Sequence, residues 1–410
     1  MHDVLIVGAG PAGTAAAIGL AAAGHRVVVV ERDRLPRAKP CGDLLTPRAV
    51  EAAAALGVDA TSLGHRVDHV RLTSEGRDGR FSPRSTSVPW PDGSHAVVVP
   101  RAQFDAHLVE RAVGNGAELR DGHTAVGPIV ERGFVRGARV VGPTGVTADL
   151  RAAYTLVADG ANSRFGRALG TFREPTWPHA LAHRARFRSA LHAAGEAEIV
   201  LGLRDRGVPV TGYAWMFPRG DGTVNVGVTV LSSSPSFQVI NPIRLLDAIV
   251  AEHGAGWRLD GRPVEPAAGG RIPLGGSVGP QAGPTYLVAG DAAGMANPLG
   301  GAGIEYALET GRIAGQVLDA ALTTGSATAL QRYPQLLDAT HGTYFQVGRL
   351  AARLLGSPAV SVRTARLAAA RPIAAEALLR LTGNQLRPGW GVAEAVYRGA
   401  RAVATVAPRA

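Results

Sequence analysis

Residues 3–31, DVLIVGAGPAGTAAAIGLAAAGHRVVVVE, decide the fold. Residues 3–7 (DVLIV) form an apolar run of buried-strand length, and 26–31 (RVVVVE) repeat that character. Between them an Ala-rich stretch, Ala12 to Ala23, reads as a helix, and Gly24 stands where a C-terminal glycine ends one. Strand, helix and strand in this order close a right-handed unit with parallel strands. Gly8, Gly10 and Gly13 place G-x-G-x-x-G between the first strand and the helix. Gly8 permits the tight turn, Gly10 lets a pyrophosphate approach the backbone, and Gly13 lets the helix lie close to the strand. Pro11 and Ala12 lead into the helix, whose free N–H groups and partial positive charge suit phosphates. Glu31 ends the second strand, where a carboxylate accepts hydrogen bonds from ribose hydroxyls, and Arg32 follows it. A dinucleotide site built on these residues is predicted.

A second segment, 287–304 (LVAGDAAGMANPLGGAGI), points to FAD rather than NAD. Gly290 and Asp291 directly follow a buried strand, TYLVAG at 285–290, and small residues then lead to another helix. A carboxylate there can bond the ribityl hydroxyls of a flavin. Pro298, Gly301, Ala302, Gly303 and Ile304 open the next helix, whose N-terminus can face the isoalloxazine and favour its negatively charged reduced form.

Length and composition set the wider frame. A chain of 410 residues exceeds what one core usually supports, and 46% apolar with 19% charged residues is ordinary for a globular protein. The single cysteine, Cys41, excludes an internal disulfide and suits a reducing cytoplasm. No basic leader precedes Val4 and no uncharged apolar run has membrane-span length, so a cytoplasmic or peripheral protein is expected. No metal ligand set is expected. The fold class expected is α/β (α+β), with a Rossmann-type FAD-binding domain assembled from 1–65, 100–165 and 270–330. An antiparallel-sheet substrate domain is expected as 66–99 and 166–269, with short strands such as HRARFRS, AEIVLGL and TVNVGVTV, followed by C-terminal helices over 331–410.

Two further stretches carry chemistry. In PRAKPCG (36–42), Lys39 is the only lysine in the chain and stands two places from the only cysteine. They flank Pro40 in the loop after the second strand, on the side toward which a flavin extends. In YAWMFP (213–218), Tyr213, Trp215 and Phe217 alternate along a strand, so their rings share one face, and Pro218 ends it. An aromatic face suits a long unsaturated chain and equally suits a routine sheet core.

As a set, Gly8–Gly13 with Glu31, Asp159–Gly160 within VADGANS (157–163), and Gly290–Asp291 resemble the three fingerprints of flavoproteins with the p-hydroxybenzoate hydroxylase fold. That resemblance spans residues 1–310. P-x-x-K-x-C-G and Y-x-W-x-F-P narrow it to the geranylgeranyl reductase family, whose members saturate carbon–carbon double bonds of isoprenoid chains, with the likeness strongest to its actinobacterial menaquinone-reducing branch. The resemblance implies that Arg101, opening RAQFDAHL, contacts the ribityl or phosphate part of FAD and Asp291 the ribityl chain. It implies that Asp159 takes part in FAD and nicotinamide handling. It also places Lys39, Cys41 and Gly42 near the flavin ring, and has Tyr213, Trp215 and Phe217 line the cavity of a lipophilic small-molecule substrate. Many relatives have two glycines after the cysteine; here Gly42 is followed by Asp43.

The resulting expectation is a reductase in which flavin delivers a hydride to an isolated alkene and an acid supplies the proton. Cys41, Tyr213 or a bound water are the candidates for that acid, and Cys41, Tyr213 and Trp215 the expected catalytic residues. The electrons come from an external donor, NADPH or a reduced carrier. Competing readings are an FAD-dependent monooxygenase acting on an aromatic or polyketide-like metabolite, and a flavin-binding sensor without turnover. A halogenase fits less, since such enzymes carry W-x-W-x-I-P where this chain has Tyr213, Trp215 and Phe217. The net charge is +10, and from Thr340 onward ten arginines face two glutamates. The arginine-rich stretch 349–371 suits either a solvated face or the anionic inner face of a membrane, and nothing suggests nucleic acid.

Overall fold

Val27–Val30 is buried along its whole length, the pattern of an inner parallel strand covered on both faces. In the computed structural model, which describes residues 1–74 and 84–385 together with Gly399, this strand lies in the first of two large sheets. The chain begins with β1 (His2–Val7), α1 (Pro11–Ala22) and β2 (Val27–Val30), then α2 (Pro47–Ala54) and α3 (Arg101–Gly114). After β3 (Thr147–Val157) it crosses to the second sheet as β4 (His179–Ser189), β5 (Glu196–Leu201), β6 (Gly212–Pro218) and β7 (Thr223–Leu231). α4 (Pro242–His253) follows, and β8 (Tyr286–Val288) returns the chain to the first sheet. α5 (Ile304–Thr324), α6 (Thr343–Leu355), α7 (Pro358–Ala370) and α8 (Pro372–Thr382) come last.

The first sheet has the order Ala282–Gly283, β8, β3, β1, β2, Glu118–Arg120. Its inner strands are parallel and in step, Val7 pairing with both Val157 and Val30, and Val157 with Val288. Gly8, Glu31, Asp159 and Asp291 therefore all leave the same carboxyl edge, where ligands bind in open α/β sheets. The first half of β3 turns aside to pair antiparallel with Phe134–Val141, which pairs in turn with Thr124–Glu131. α1 and α5 pack closely because Gly311 has no side chain: a Cβ there would lie 2.1 Å from the Ala12 carbonyl oxygen.

The second sheet has the order Leu259–Pro263, β4, β7, β6, β5, His69–Ser74, Arg84–Pro89. Alternation along β6 divides its side chains. Ala214 and Met216 join Val224, Val226, Val228 and Val230 against Leu245, Leu246 and Ile249 of α4. Trp215 and Phe217 face the other way, toward Val67 and Val98. Three features depart from the sequence reading. Ala96–Val98, grouped there with the inserted sheet, pairs instead with Leu44–Leu45 and His65–Val67 in a third small sheet. α4 carries apolar residues at helical spacing within strand-rich surroundings, and the hairpin strand Thr124–Glu131 buries none of its side chains, so it lacks the apolar alternation of a half-buried strand. The final part of the expected C-terminal region, 386–398 and 400–410, lies outside the described residues. Among the described residues no helix is long and apolar enough to cross a membrane.

Candidate active site

The glycine turn after β1 is a cradle that side chains would fill. Gly8 has φ +107°, and a Cβ there would lie 2.3 Å from the Ala158 carbonyl oxygen. A Cβ on Gly13 would lie 2.0 Å from the Gly8 oxygen. Over Gly10 the space is open, its nearest neighbour being Arg37 Nη2 at 3.7 Å from a built Cβ. No side chain caps α1 and no acid occupies its first turn, so its terminal N–H groups are free for an anion. Glu31 is buried beside the turn. Its Oε2 accepts from Ala9 N at 3.0 Å, its Oε1 from Asp33 N at 3.1 Å, and Arg37 Nε stands 3.5 Å away. An open cradle with free N–H groups and one bordering guanidinium fits a pyrophosphate, with Glu31 placed for the adjoining ribose.

Arg37, and not the expected Arg32, borders the cradle. The Arg32 side chain is 70% exposed and pairs with Asp33, whereas the Arg37 side chain is only 11% exposed, held between Glu31 and Asp105, 3.0 Å from the latter. Arg37 lies inside PRAKPCG, so its signal was present but masked by Lys39 and Cys41. Asp159 lies just before the short helix Arg164–Ala168, which Ser163 caps; its Oδ2 accepts from Phe165 N at 3.0 Å, while Oδ1 is buried without a partner in the protein. Burial pushes its carboxyl up from the ordinary value. Gly160 follows it with φ +80°. Gly290 (φ +63°) turns the chain after β8 and leaves Asp291 on the rim, where Oδ1 would be 3.2 Å from a Cβ on Gly303. Lys39 reaches the same carboxylate, Nζ to Oδ2 4.0 Å, so the PRAKPCG loop and the β8 turn meet.

Arg101 is buried and forms a bidentate pair with Asp105, both contacts 2.9 Å. Burial opposes its charge, but Asp105 and the Cys41 sulfur hold its pKa above the usual arginine range. Arg101 therefore lies beside Cys41, and Cys41 packs partly buried against the first core. The carbonyl of Cys41 accepts from Asn225 Nδ2 at 2.9 Å, and the same amide donates to Asp43 Oδ2 at 3.1 Å. Asn225 Oδ1 accepts from Trp215 Nε1 at 3.0 Å. One asparagine on β7 thus ties the cysteine loop to the aromatic strand. Gly42 fits closely at that junction, where a Cβ would come 3.3 Å from both the Trp215 and Phe217 rings.

Tyr213, Trp215 and Phe217 do share one face. Successive ring centroids are 6.0 Å apart, the first pair tilted and the second stacked. Trp215 lies flat over Gly227, where a Cβ would be 2.1 Å from the ring. The Tyr213 hydroxyl donates to the Gly300 carbonyl at 2.6 Å, and burial holds the phenol above its ordinary pKa. The loop that carries Pro298, Gly301, Ala302 and Gly303 into Ile304 is locked from within by Asn297. Its Oδ1 accepts from Leu299 N and Gly300 N, and its Nδ2 donates to Tyr306, Tyr344 and the Thr382 carbonyl. Pro298 seats on Gly348 of α6, where a Cβ would be 2.3 Å from its ring.

Sequence reasoning passed over Arg37, Asp43, Asn225, Asn297 and Glu305. Asp43 occupies the position that differs from many relatives. Its φ of +64° favours glycine, and the strain is offset by Asn225 and by Arg219 Nη1 at 3.1 Å. Burial raises the Asp43 carboxyl, with Arg219 acting against that shift. Glu305, the second residue of α5, is 2% exposed, and burial raises its pKa to about 7. Asparagines and carboxylates of this kind carry no motif; only their partners across the fold give them meaning.

Comparison with known proteins agrees with this geometry. Residues 1–190 match the FAD binding domain family and residues 196–270 the geranylgeranyl reductase catalytic domain family. The chain is 37% identical over 370 residues to menaquinone reductase of Mycolicibacterium smegmatis, covering 87% of this chain and 85% of that protein. It is 33% identical over 356 residues to digeranylgeranylglycerophospholipid reductase 1 of Methanopyrus kandleri, covering 86% and 90%. Its fold matches a geranylgeranyl bacteriochlorophyll reductase-like protein of Thermoplasma acidophilum with a TM-score of 0.76 at 23% identity, over 99% and 96% of the chains. The flavin-dependent brominase Bmp2 shares the fold at a TM-score of 0.75 and 18% identity, over 99% of each chain. With its FAD cradle at the carboxyl edge of the first sheet and its catalytic-domain match on the second, this chain belongs to the geranylgeranyl reductase family of FAD-dependent oxidoreductases.

Proposed function

We propose that this enzyme saturates a carbon–carbon double bond in the isoprenoid chain of a lipid, either a menaquinone side chain or a geranylgeranyl group. The observation that carries the reading is the Asn225 bridge. It fixes the aromatic face of β6 against the loop of Cys41, and Lys39 in that loop reaches Asp291. In this reading the joined site would give the substrate an apolar, ring-lined wall beside the groups that would hold the flavin. Two reductases similar in sequence are named for a menaquinone and for a digeranylgeranyl lipid, which share a prenyl chain.

Gly8, Gly10, Gly13, Arg37 and the α1 N-terminus would hold the pyrophosphate, Glu31 the ribose, and Asp291 with the Gly301–Gly303 loop the flavin half. When bound and reduced, FAD supplies a hydride equivalent at this position. Trp215 and Phe217 exclude water and align the chain, since an unactivated alkene needs a dry, shape-matched wall. Tyr213 holds the 297–303 loop through Gly300. The electrons reach the flavin from an external donor, NADPH or a reduced carrier. The exposed apolar residues Leu354, Val360, Leu367 and Ile373 alternate with arginines on α6 to α8, which suits contact with the anionic inner membrane face where such lipids reside.

Mass analysis of menaquinone and geranylgeranyl lipids incubated with chemically reduced enzyme, with and without oxygen, tests the reading. A gain of two hydrogens that persists without oxygen is expected. A gain of one oxygen atom, only in air, would establish a monooxygenase instead.

A further inference from the structure

Saturation of an isolated double bond consumes a proton as well as a hydride equivalent, and a dry site must import that proton. We propose that Glu305 is the relay by which it enters, passing from the Arg48–Glu309 pair at the surface through Glu305 to the Thr46 hydroxyl beside the cysteine loop. The proposal rests on the prenyl-reductase reading above.

Glu305 stands where such a relay must stand, in the first turn of α5 directly after the Gly301–Gly303 loop. It is 2% exposed, and its Oε1 has no hydrogen-bond partner within the protein. A buried carboxyl kept only for structure has its oxygens satisfied; a half-satisfied one calls for another explanation. Inward, the carboxyl meets its own backbone N–H and the hydroxyl of Thr46, which follows Cys41, Gly42 and Asp43 in the chain. Tyr213 lies within electrostatic reach of both Glu305 and Cys41. Outward, Glu309 lies one helical turn further on and pairs with Arg48 at 2.8 and 2.7 Å. Their side chains are 18% and 20% exposed, so this pair meets solvent. Arg48 is engaged with Glu309 rather than with Glu305, which leaves the inner carboxyl free to hold a proton.

The surrounding groups agree. From α2, Arg48 opposes the effect of burial, while Glu309 adds to it. Tyr306 lies under Arg48 at 5.1 Å, and His341, 3.6 Å from Glu309, is held neutral by burial with a pKa of about 3. The net result for Glu305 is a pKa of about 7, set first by burial. Such a group gives and regains a proton with nearly equal ease at neutral pH. In the transfer the Glu305 O–H bond breaks, Thr46 passes its proton on, and a C–H bond forms at one alkene carbon. The hydride equivalent, with both electrons, arrives at the other carbon as the flavin's contribution. The carboxylate left behind is reprotonated from solvent past Glu309. Glu305 is thus a positioning residue for the proton and does not touch the substrate.

The test uses FAD-loaded wild type, Glu305→Gln and Glu305→Asp. Infrared spectra in heavy water across neutral pH are expected to show a carboxylic-acid C=O band titrating at about 7 in the wild type. The band should vanish in Glu305→Gln and remain in Glu305→Asp. Anaerobic single turnover with a prenyl quinone should slow by about 100-fold in Glu305→Gln, the scale of a lost general acid. Its pH dependence through neutrality should flatten, and Glu305→Asp should recover most of the rate. A wild-type rate and pH profile in Glu305→Gln would overturn the relay. Should that variant not load FAD, Thr46→Val against Thr46→Ser replaces it, and equal wild-type rates in those two overturn the relay as well. If the wild type saturates no prenyl chain, the function reading falls. The infrared band still decides the state of Glu305, and its absence at neutral pH overturns the relay independently.

Discussion

Asn225 and Cys41 are joined across the two sheets by a 2.9 Å hydrogen bond from the asparagine amide to the cysteine carbonyl. The other end of the same amide group accepts from Trp215, so one side chain ties the cysteine loop to the aromatic strand. Asn225 is wholly buried, so removing it strands Trp215 Nε1 and the Cys41 carbonyl at once, while Asp43 keeps Arg219. Asn225→Leu should lower stability by about 2–4 kcal/mol, since each orphaned buried group costs about 1–3 kcal/mol. Denaturant unfolding measures that loss. Flavin fluorescence should report looser FAD at the same time; unchanged unfolding and unchanged fluorescence would mean the bridge is incidental.

Asp43 and Arg219 make a second, more local bargain. Asp43→Gly relieves a left-handed backbone worth about 1–3 kcal/mol, yet leaves the Arg219 guanidinium buried with only Asp221 nearby. Loss of one partner of a buried pair is the larger effect, about 3–5 kcal/mol, so Asp43→Gly should destabilise. Adding Arg219→Leu should restore much of the stability, giving a clearly non-additive cycle. Additive losses would show that the pair is not coupled.

Gly227 tests the aromatic wall without touching an aromatic residue. A methyl there would lie 2.1 Å from the Trp215 ring and must displace it. Gly227→Ala should raise KM for a prenyl substrate by about tenfold, matching the roughly 1–3 kcal/mol that misfit of an apolar group costs in a hydrophobic pocket. FAD affinity should stay within twofold. Trp215→Leu should reproduce the KM effect, and an unaltered KM in both variants would remove β6 from substrate binding.

The cradle was legible because each part of it is local. Strand, turn, helix and Glu31 lie within residues 3–31, and the spacing of three glycines states its own reason. The aromatic face was legible too, because strand alternation alone puts Tyr213, Trp215 and Phe217 on one side. What joins these pieces was not. Asn225 sits among valines on β7 and reads as a polar interruption until β6 and the cysteine loop are seen on either side. Arg37 is visible in PRAKPCG beside rarer neighbours, and the side chain of Arg32, expected at the cofactor, leaves the site. Glu305 offered no signal, because an acid in the first turn of a helix is ordinary.

Stability should respond to pH through Glu305 and His341 with opposite signs. The folded pKa of Glu305, about 7, is above its ordinary 4.5, so its contribution is complete below pH 4.5 and lost as pH rises to about 7. That difference corresponds to about 3 kcal/mol. His341 is lowered to about 3 from 6.5 by burial, so its contribution is present above pH 6.5 and lost as pH falls toward 3. Glu305→Gln should therefore gain on the wild type as pH rises through neutrality. His341→Phe, which keeps the stacking with Phe345, should resist acid better. Urea midpoints across pH decide both, and parallel curves for wild type and variants would contradict these assignments.

The basic tail is not uniform, and that allows its membrane role to be isolated. Arg349 stacks on Trp177 at 3.9 Å and donates to the Gly275 carbonyl, while Arg380 is paired with Asp92 and Glu376. Those two belong to the fold. Arg353, Arg363 and Arg371 are exposed and Arg366 is half-buried, and between them Leu354, Leu367 and Ile373 are 57%, 59% and 79% exposed. Changing these four arginines to glutamine should remove about 1 kcal/mol of attraction each to an anionic surface. Cosedimentation with vesicles rich in anionic lipid should then fall by at least about 100-fold, while binding to neutral vesicles changes little. Ile373→Glu should weaken both, because it acts through apolar insertion rather than charge. Full retention of anionic-vesicle binding by the four-arginine variant would assign this face to solvent.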